Sequence, residues 1–150
     1  MYCVSRDFHL SYGHRLASHS GRCRRLHGHN GRVRVTLFAG DLNGSGMVRD
    51  FTDLKVILGG WIEETLDHRT ILDRDDPLRV VLQEAGETIV ETAGPPTAER
   101  LAWMIFQQAK RQGFPVKSVE FWETRKCRAV YSEEKTVGTD QSVGHSAKGA

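Results

Sequence analysis

The sequence has few cysteines, no long apolar segment and little net charge. Its three cysteines, Cys3, Cys23 and Cys127, are an odd number and widely spaced, which argues against a disulfide framework and favours the reducing cytoplasm. No apolar run approaches the roughly 20 residues of a membrane span, and no signal peptide opens the chain. The formal net charge of +2 gives no sign of a nucleic-acid interface. These absences favour a small soluble protein, and 150 residues are a normal size for one domain.

Three histidines stand out in what the sequence does contain. Residues 2–14 and 27–39 alternate apolar and polar side chains, which predicts two neighbouring strands. Because side chains of a strand point to alternate faces, His27 and His29 share a face, and His14 ends the apolar face of the first strand. Three imidazoles that leave one coordination position open are typical of a catalytic zinc site. The sequence therefore predicts about one zinc ion per chain.

Each of these histidines taken alone has a simpler interpretation. A histidine that ends an apolar strand face is usually a satisfied core residue or a surface residue. Three on one face, two of them in H-x-H spacing, favour a metal instead. The other histidines lack such a setting, because His9 and His19 are expected to be exposed and His145 lies in a polar segment.

The order of elements predicts an α+β domain, with two strands, then helices, then two further strands. The first helix is expected to have Thr52 as a possible cap. Its apolar residues recur at helical spacing, namely Phe51, Leu54, Ile57, Leu58, Trp61, Ile62 and Leu66. Two more helices are expected after Asp76-Pro77 and from Thr97, and two strands over residues 116–124 and 127–131. We predict an antiparallel sheet with helices on one face, in one domain over residues 1–135, followed by a flexible polar tail over 136–150.

Two further positions carry chemistry. Asp67-His68 follows the first helix and can form an acid–base pair in which the carboxylate orients the imidazole, although helix ends often carry both residue types. Glu123 follows Val119 and Phe121 on what should be the buried face of a strand. A buried carboxylate needs a hydrogen-bond donor, and either a neighbouring arginine or a ligand could supply it.

Several segments together resemble one known family. In chain order they are Phe8 to Leu16, Cys23-Arg-Arg-Leu-His-Gly-His-Asn30, Gly46-Met-Val-Arg-Asp-Phe51, Leu66-Asp-His68, Pro96-Thr-Ala-Glu99 and Glu123-Thr124 with Tyr131. The pattern, spread over residues 5–131, resembles that of the 6-pyruvoyl-tetrahydropterin synthase and 6-carboxy-tetrahydropterin synthase family. The resemblance implies the tunnelling fold (T-fold), in which ββααββ subunits form a barrel of trimers that usually pair into hexamers.

The same resemblance implies a substrate and a set of roles. The family substrate is 7,8-dihydroneopterin triphosphate, and His14, His27 and His29 would hold zinc. Proton transfer would fall to Cys23, Asp67 and His68. Glu123 would anchor the amino-pyrimidine edge of the pterin, and Thr97 and Glu99 match positions near the pterin pocket, although Thr97 is equally well explained as a helix cap. Arg15, Arg22, Arg24 and Arg25 are candidates to meet the triphosphate, or else belong to a solvated basic loop.

The loop between Cys23 and His27 has the short length typical of bacterial 6-carboxy enzymes. This favours loss of triphosphate with carbon–carbon cleavage that releases acetaldehyde, for queuosine (7-deazaguanine) synthesis. The alternatives are a 6-pyruvoyl synthase and a metal- and pterin-binding protein without turnover. Three residues depart from the family pattern and bear on substrate choice: Tyr12 where a small residue is usual, Gly31 where an aromatic is common, and Arg100 where asparagine often stands.

Overall fold

The computed structural model describes residues 1–133, so the tail predicted for residues 136–150, including His145, lies outside the described residues. Two long strands, β1 (Tyr2–His14) and β2 (His27–Ala39), form an antiparallel pair with the bounds that the alternation predicts. Their register sets His14 opposite His27 and Tyr12 opposite His29. The end of this pair therefore gathers the three histidines before any other element is considered.

The sheet has six strands, two more than predicted. The additional strands, β3 (Arg69–Asp73) and β4 (Ile89–Thr92), are short, and β3 pairs in parallel with both β1 and β4. The sheet is therefore mixed. The prediction of a purely antiparallel sheet is wrong for the β1–β3 and β3–β4 pairs, which are parallel. With β5 (Val116–Trp122) and β6 (Arg128–Ser132), the strand order is β4-β3-β1-β2-β5-β6.

The first helix, α1, changes geometry along its length. Segments Phe51–Asp53 and Gly60–Thr65 are α-helical, and Leu54–Gly59 between them is π-helical. Asp50 caps the helix rather than Thr52, because its carboxylate accepts a hydrogen bond from the Thr52 N–H at 2.7 Å. The residues at every fourth position are buried, namely Leu54, Leu58, Ile62 and Leu66. Phe51 and Ile57, which the spacing also predicts on the inner face, are exposed instead.

Two further helices follow, α2 (Leu78–Glu84) and α3 (Ala98–Arg111). The inner face of α3 is buried as predicted, through Leu101, Ala102, Ile105, Phe106 and Ala109. Helices α1 and α3 pack on the sheet face that carries Val33, Val35 and Val119, where they form the core. Among the described residues no helix combines the length and apolarity needed to cross a membrane.

Candidate metal centre and active site

Three imidazoles meet at the end of the β1–β2 pair. The ring centroid of His14 lies 4.6 Å from that of His27 and 5.2 Å from that of His29, and the last two are 5.0 Å apart. One nitrogen atom from each ring lies within 4.8 Å of the others, a separation at which one ion can contact all three. His14 is buried, whereas His27 and His29 are half-buried. The cluster is therefore closed on the core side and open on the other.

The remaining ring nitrogens show that these residues fit a metal ion. His14 Nδ1 lies 2.8 Å from the carbonyl oxygen of Pro96, and His27 Nδ1 lies 2.7 Å from that of Arg25. A carbonyl only accepts, so each Nδ1 carries its proton and each Nε2 keeps a free lone pair. His14 Nε2 is buried and has no hydrogen-bond partner among the described residues. A metal ion would satisfy this orphaned atom, and three imidazoles would leave a coordination position for a substrate.

The charge state of the cluster also suits a metal. Burial lowers the pKa of His14 and of His29, although the carboxylate of Glu123 opposes this effect at both rings. The Glu123 carboxylate is close, since its Oε1 lies 3.9 Å from His14 Nε2. Imidazoles with a lowered pKa are neutral at neutral pH, and the neutral ring is the form that binds a metal.

Cys23 lies in a cavity beside the histidines. The loop that carries it is held by a hydrogen bond from the Leu16 N–H to the Cys23 carbonyl at 2.8 Å. The cavity is lined by Cys23, by His27 and His29, and by a basic set consisting of Arg15, Arg22, Arg24 and Arg25. A thiol, two imidazoles and several guanidinium groups thus face one space, which suits a substrate with negative charge.

The four arginines of this cavity do not have the same role. The Arg15 guanidinium donates two hydrogen bonds to the carboxylate of Asp76, whose side chain is fully buried. The Arg22, Arg24 and Arg25 side chains are exposed. Arg15 is therefore committed to an ion pair inside the protein, and the other three are the arginines free to contact a phosphate. Asp76 also accepts a hydrogen bond from the Leu78 N–H, at the start of α2, at 2.9 Å.

Glu123, Thr97 and Glu99 line a second cavity together, with Leu16, Cys127, Arg128, Ala98 and Ala129. Glu123 comes directly after β5 and its side chain is 27% exposed. Among the described residues no arginine or lysine lies within ion-pair distance of Glu123, so the arginine partner that the sequence allowed is not found within this copy of the protein. Glu99 is exposed, and the Thr97 hydroxyl accepts a hydrogen bond from the Arg100 N–H at 3.3 Å as the cap of α3.

Asp67 and His68 form an oriented pair at the end of α1. Asp67 Oδ1 accepts a hydrogen bond from the Ser11 N–H at 2.7 Å, and Oδ2 lies 2.8 Å from His68 Nδ1. Burial opposes ionisation of Asp67, but these hydrogen bonds outweigh it and lower the pKa of the carboxyl group. His68 has a left-handed backbone, with φ of 55°, and its side chain is 81% exposed. The carboxylate therefore orients an imidazole whose Nε2 faces solvent, as a proton-transfer group requires.

Within one copy of the protein, Cys23 and His68 line different cavities. His68 lines a third cavity with Ser11, Asn30 and Thr70. Cys23 is not among the residues of this cavity, although His29 lines both it and the cavity that contains Cys23. Ser11 and Asn30 are paired across β1 and β2 and alternate with Tyr12 and His29, so they lie on the opposite face of the sheet from the three histidines.

Tyr12 is a further residue of the site, for which the sequence predicts only an effect on substrate choice. Its side chain is 4% exposed and its ring packs edge-on against His14, with centroids 5.1 Å apart. Burial and, secondarily, the negative charge of Glu123 raise the pKa of the Tyr12 hydroxyl. Its departure from the family pattern and its place on the face of His14 are visible in the sequence. Its contact with His29, with ring centroids 5.8 Å apart, depends on strand register.

Comparison with known proteins places these features in one family. Residues 3–134 match the model of the 6-pyruvoyl tetrahydropterin synthase family. The chain belongs to this family. A 6-carboxy-5,6,7,8-tetrahydropterin synthase of Haemophilus influenzae is 33% identical over 142 residues, which cover 89% of this chain and 100% of that protein. A protein of the same name from Synechocystis is 33% identical over 136 residues, covering 87% of this chain and 93% of the relative.

Solved structures agree with the assignment to the tetrahydropterin synthase family. An uncharacterized protein from Wolinella succinogenes superposes with a TM-score of 0.73 at 31% identity, covering 89% of this chain and 98% of that one. The Caenorhabditis elegans 6-pyruvoyl tetrahydropterin synthase superposes with a TM-score of 0.66 at 26% identity, covering 89% and 96%. The prediction of an α+β T-fold subunit is confirmed, as is the prediction that the chain is an enzyme of this lyase family.

Proposed function

We propose that the chain is a zinc-dependent 6-carboxy-5,6,7,8-tetrahydropterin synthase that acts on 7,8-dihydroneopterin triphosphate. The observation that carries the proposal is the set of three imidazole nitrogens within 4.8 Å of one another, beside the Glu123 carboxylate. The names of the Haemophilus influenzae and Synechocystis relatives support the 6-carboxy product. Queuosine synthesis is the proposed destination of that product, and the three free cysteines support a reducing, cytoplasmic location.

The proposed reaction needs no external oxidant or reductant. The three-carbon substituent of the substrate's ring loses triphosphate and is cleaved next to its first carbon. That carbon stays on the ring as a carboxylate, and the other two leave as acetaldehyde. One water molecule is consumed, and hydrogen that leaves the substituent raises the ring from the dihydro to the tetrahydro level. The protein therefore has to move protons and hold the ring in place, and it does not need a nicotinamide site.

The roles proposed for the residues follow their positions. A zinc ion held by His14, His27 and His29 would act as a Lewis acid toward the hydroxyl-bearing part of the three-carbon substituent. Cys23, in the adjoining cavity, is the proposed base for a C–H proton of that substituent. Glu123 would accept hydrogen bonds from the N–H groups of the pterin edge, in the cavity it shares with Thr97 and Glu99. Of the cavity arginines, the three exposed ones would meet the triphosphate, namely Arg22, Arg24 and Arg25.

We further propose that the active protein is a homo-oligomer, with a hexamer as the expected form. One supporting observation is that His68 lines a cavity without Cys23, and a site completed by a second copy would bring the two residues together. The other is that β4 and β6 are the edges of the sheet and pair on one side only among the described residues. Unpaired strand edges are available for pairing between copies.

The test of the proposed function is a product assay. Purified protein loaded with zinc is incubated with 7,8-dihydroneopterin triphosphate, and the products are identified by mass spectrometry. We expect 6-carboxytetrahydropterin, acetaldehyde and triphosphate in equal amounts. A pyruvoyl product without acetaldehyde would assign the chain to the 6-pyruvoyl reaction, which the name of the Caenorhabditis elegans neighbour makes the second candidate. Binding of the substrate without any product would leave only a binding protein.

A further inference from the structure

The Tyr12 hydroxyl is a buried polar group of the site that no other described residue satisfies. It is inaccessible to solvent and has no hydrogen-bond partner among the described residues. The ring that carries it is fixed, because it packs edge-on against His14 and against Phe121, with centroids 5.1 and 5.6 Å apart. A buried hydroxyl without a partner costs free energy, so we expect it to find a partner in a state of the protein that contains a ligand.

The position of Gly31 shows which way the hydroxyl points. A Cβ atom on Gly31 would lie 3.1 Å from Tyr12 Cε1, and Cε1 is bonded to the ring carbon that carries the hydroxyl. The outer end of the ring therefore lies over the backbone of β2, which means that the ring leans from β1 across β2 toward β5. The absence of a side chain at Gly31 is what makes room for it.

The residue on β5 toward which the ring leans is the proposed pterin anchor. In the β2–β5 register Val33 pairs with Phe121 and Arg32 with Trp122, so Gly31 is level with Glu123, one step beyond the last pair. Glu123 and Phe121 share a strand face, and Phe121 already contacts the Tyr12 ring. The hydroxyl end of Tyr12 and the Glu123 carboxylate therefore lie on the same face of the sheet. Tyr12 reaches Gly31 from the β1 side, and Glu123 is level with Gly31 on the β5 side.

The chemistry of the two groups is complementary. Glu123 Oε1 faces His14 Nε2 at 3.9 Å, but an Nε2 atom that ligates a metal has no lone pair or proton left for the carboxylate. A carboxylate has about four lone-pair positions, and two N–H donors of a pterin edge would use one on each oxygen. We propose that Tyr12 is a positioning residue whose hydroxyl donates a hydrogen bond to Glu123 when a pterin is bound, which holds the carboxylate toward the ring. This inference rests on the proposed function.

The test uses the substitution Tyr12→Phe, which removes the hydroxyl and keeps the ring. Because the hydroxyl is unsatisfied in the free protein, the thermal midpoint of unfolding should stay the same or rise. The affinity for 7,8-dihydroneopterin, measured by calorimetry on the zinc-loaded protein, should fall about tenfold, the loss of one charge-assisted hydrogen bond. The zinc content should not change. Tyr2→Phe, at a residue that is 51% exposed at the far end of β1, is the matched control and should bind as the parent does.

A double-mutant cycle with Glu123→Gln shows whether Tyr12 acts through Glu123. If it does, Tyr12→Phe should weaken binding much less in the Glu123→Gln background than in the parent. Fully additive losses would overturn the proposal, as would a Tyr12→Phe variant that binds 7,8-dihydroneopterin as tightly as the parent. Failure of the parent protein itself to bind this probe would instead refute the proposed function on which the inference rests.

Discussion

Removal of the Asp76 carboxylate should destabilise the protein more than any other single change in the loop that precedes α2. The Asp76 side chain is fully buried, and it accepts hydrogen bonds from Arg15 Nε at 2.7 Å, from Arg15 Nη2 and from the Leu78 N–H at 2.9 Å. Asp76→Ala would leave the Arg15 guanidinium without its counter-charge and the Leu78 N–H, at the start of α2, without its acceptor. Both losses act on the folded state, because neither contact exists in the unfolded chain.

The expected magnitude follows from how far water can replace the carboxylate. Removing one partner of a buried ion pair costs about 3–5 kcal/mol, and loss of the hydrogen bond from the Leu78 N–H adds about 1 kcal/mol. Arg15 is 23% exposed, so its guanidinium would be partly hydrated in the variant, which reduces the cost. We expect a decrease of about 2–4 kcal/mol in the free energy of unfolding. For a protein of this size each kcal/mol lowers the thermal midpoint by about 2–4 °C.

The effect should depend on pH with a definite sign. The hydrogen bond from Arg15, together with the Leu78 N–H and the positive charge of Arg15, holds the pKa of Asp76 below its ordinary value of 3.8. The stabilisation is therefore fully present above pH 3.8 and is lost as the pH falls below it through the folded-state pKa. The parent and Asp76→Ala should differ most at neutral pH and converge in acid.

The assay is urea unfolding at pH 7 and in acid, at one fixed protomer concentration because association also stabilises. Asp75→Ala is the matched control, since it removes the same charge from the neighbouring, exposed residue. We expect it to change the free energy of unfolding by less than about 0.5 kcal/mol. If Asp76→Ala were no less stable than Asp75→Ala at pH 7, the ion pair between Arg15 and Asp76 would not stabilise the fold.

Two substitutions and one measurement of the oligomeric state test the proposed site. His27→Ala should abolish stoichiometric zinc binding in metal analysis, whereas His9→Ala, at an exposed residue, should keep about one zinc per chain; full zinc content in His27→Ala would contradict the ligand assignment. Cys23→Ala should keep zinc and pterin affinity and lose about 10²–10⁴-fold in kcat. Cys3→Ala is the control and should leave kcat unchanged. A near-normal kcat in Cys23→Ala would leave His68 with Asp67 as the candidate base. Sedimentation at micromolar concentration should give trimers or hexamers; a fully active monomer would refute the proposal that a second copy completes the site.

The parts of the fold that the sequence predicts well are those that depend on local periodicity. The bounds of β1 and β2 agree with the prediction because each strand has 13 residues of nearly regular alternation. Strands β3 and β4 have five and four residues, and Ile71 and Leu72 are both buried although they are adjacent, so no alternation marks them. The cap of α1 was misassigned by two residues because Asp50 and Thr52 are both good capping residues, and only the backbone geometry decides between them.

The same distinction explains which parts of the site could be predicted. His27 and His29 share a face by alternation alone, and His14 joins them through the simplest antiparallel pairing of two adjacent strands. The place of Asp67 and His68 depends instead on a non-local fact, the parallel pairing that sets Tyr12 opposite Arg69. That register puts His68 level with Ser11. The Ser11 N–H donates a hydrogen bond to the Asp67 carboxylate, and the Ser11 carbonyl accepts one from the His68 N–H. The position of Asp67 and His68 is therefore set by how β3 returns to β1. No spacing within the sequence records that return, so the position of this pair could not be predicted from local periodicity.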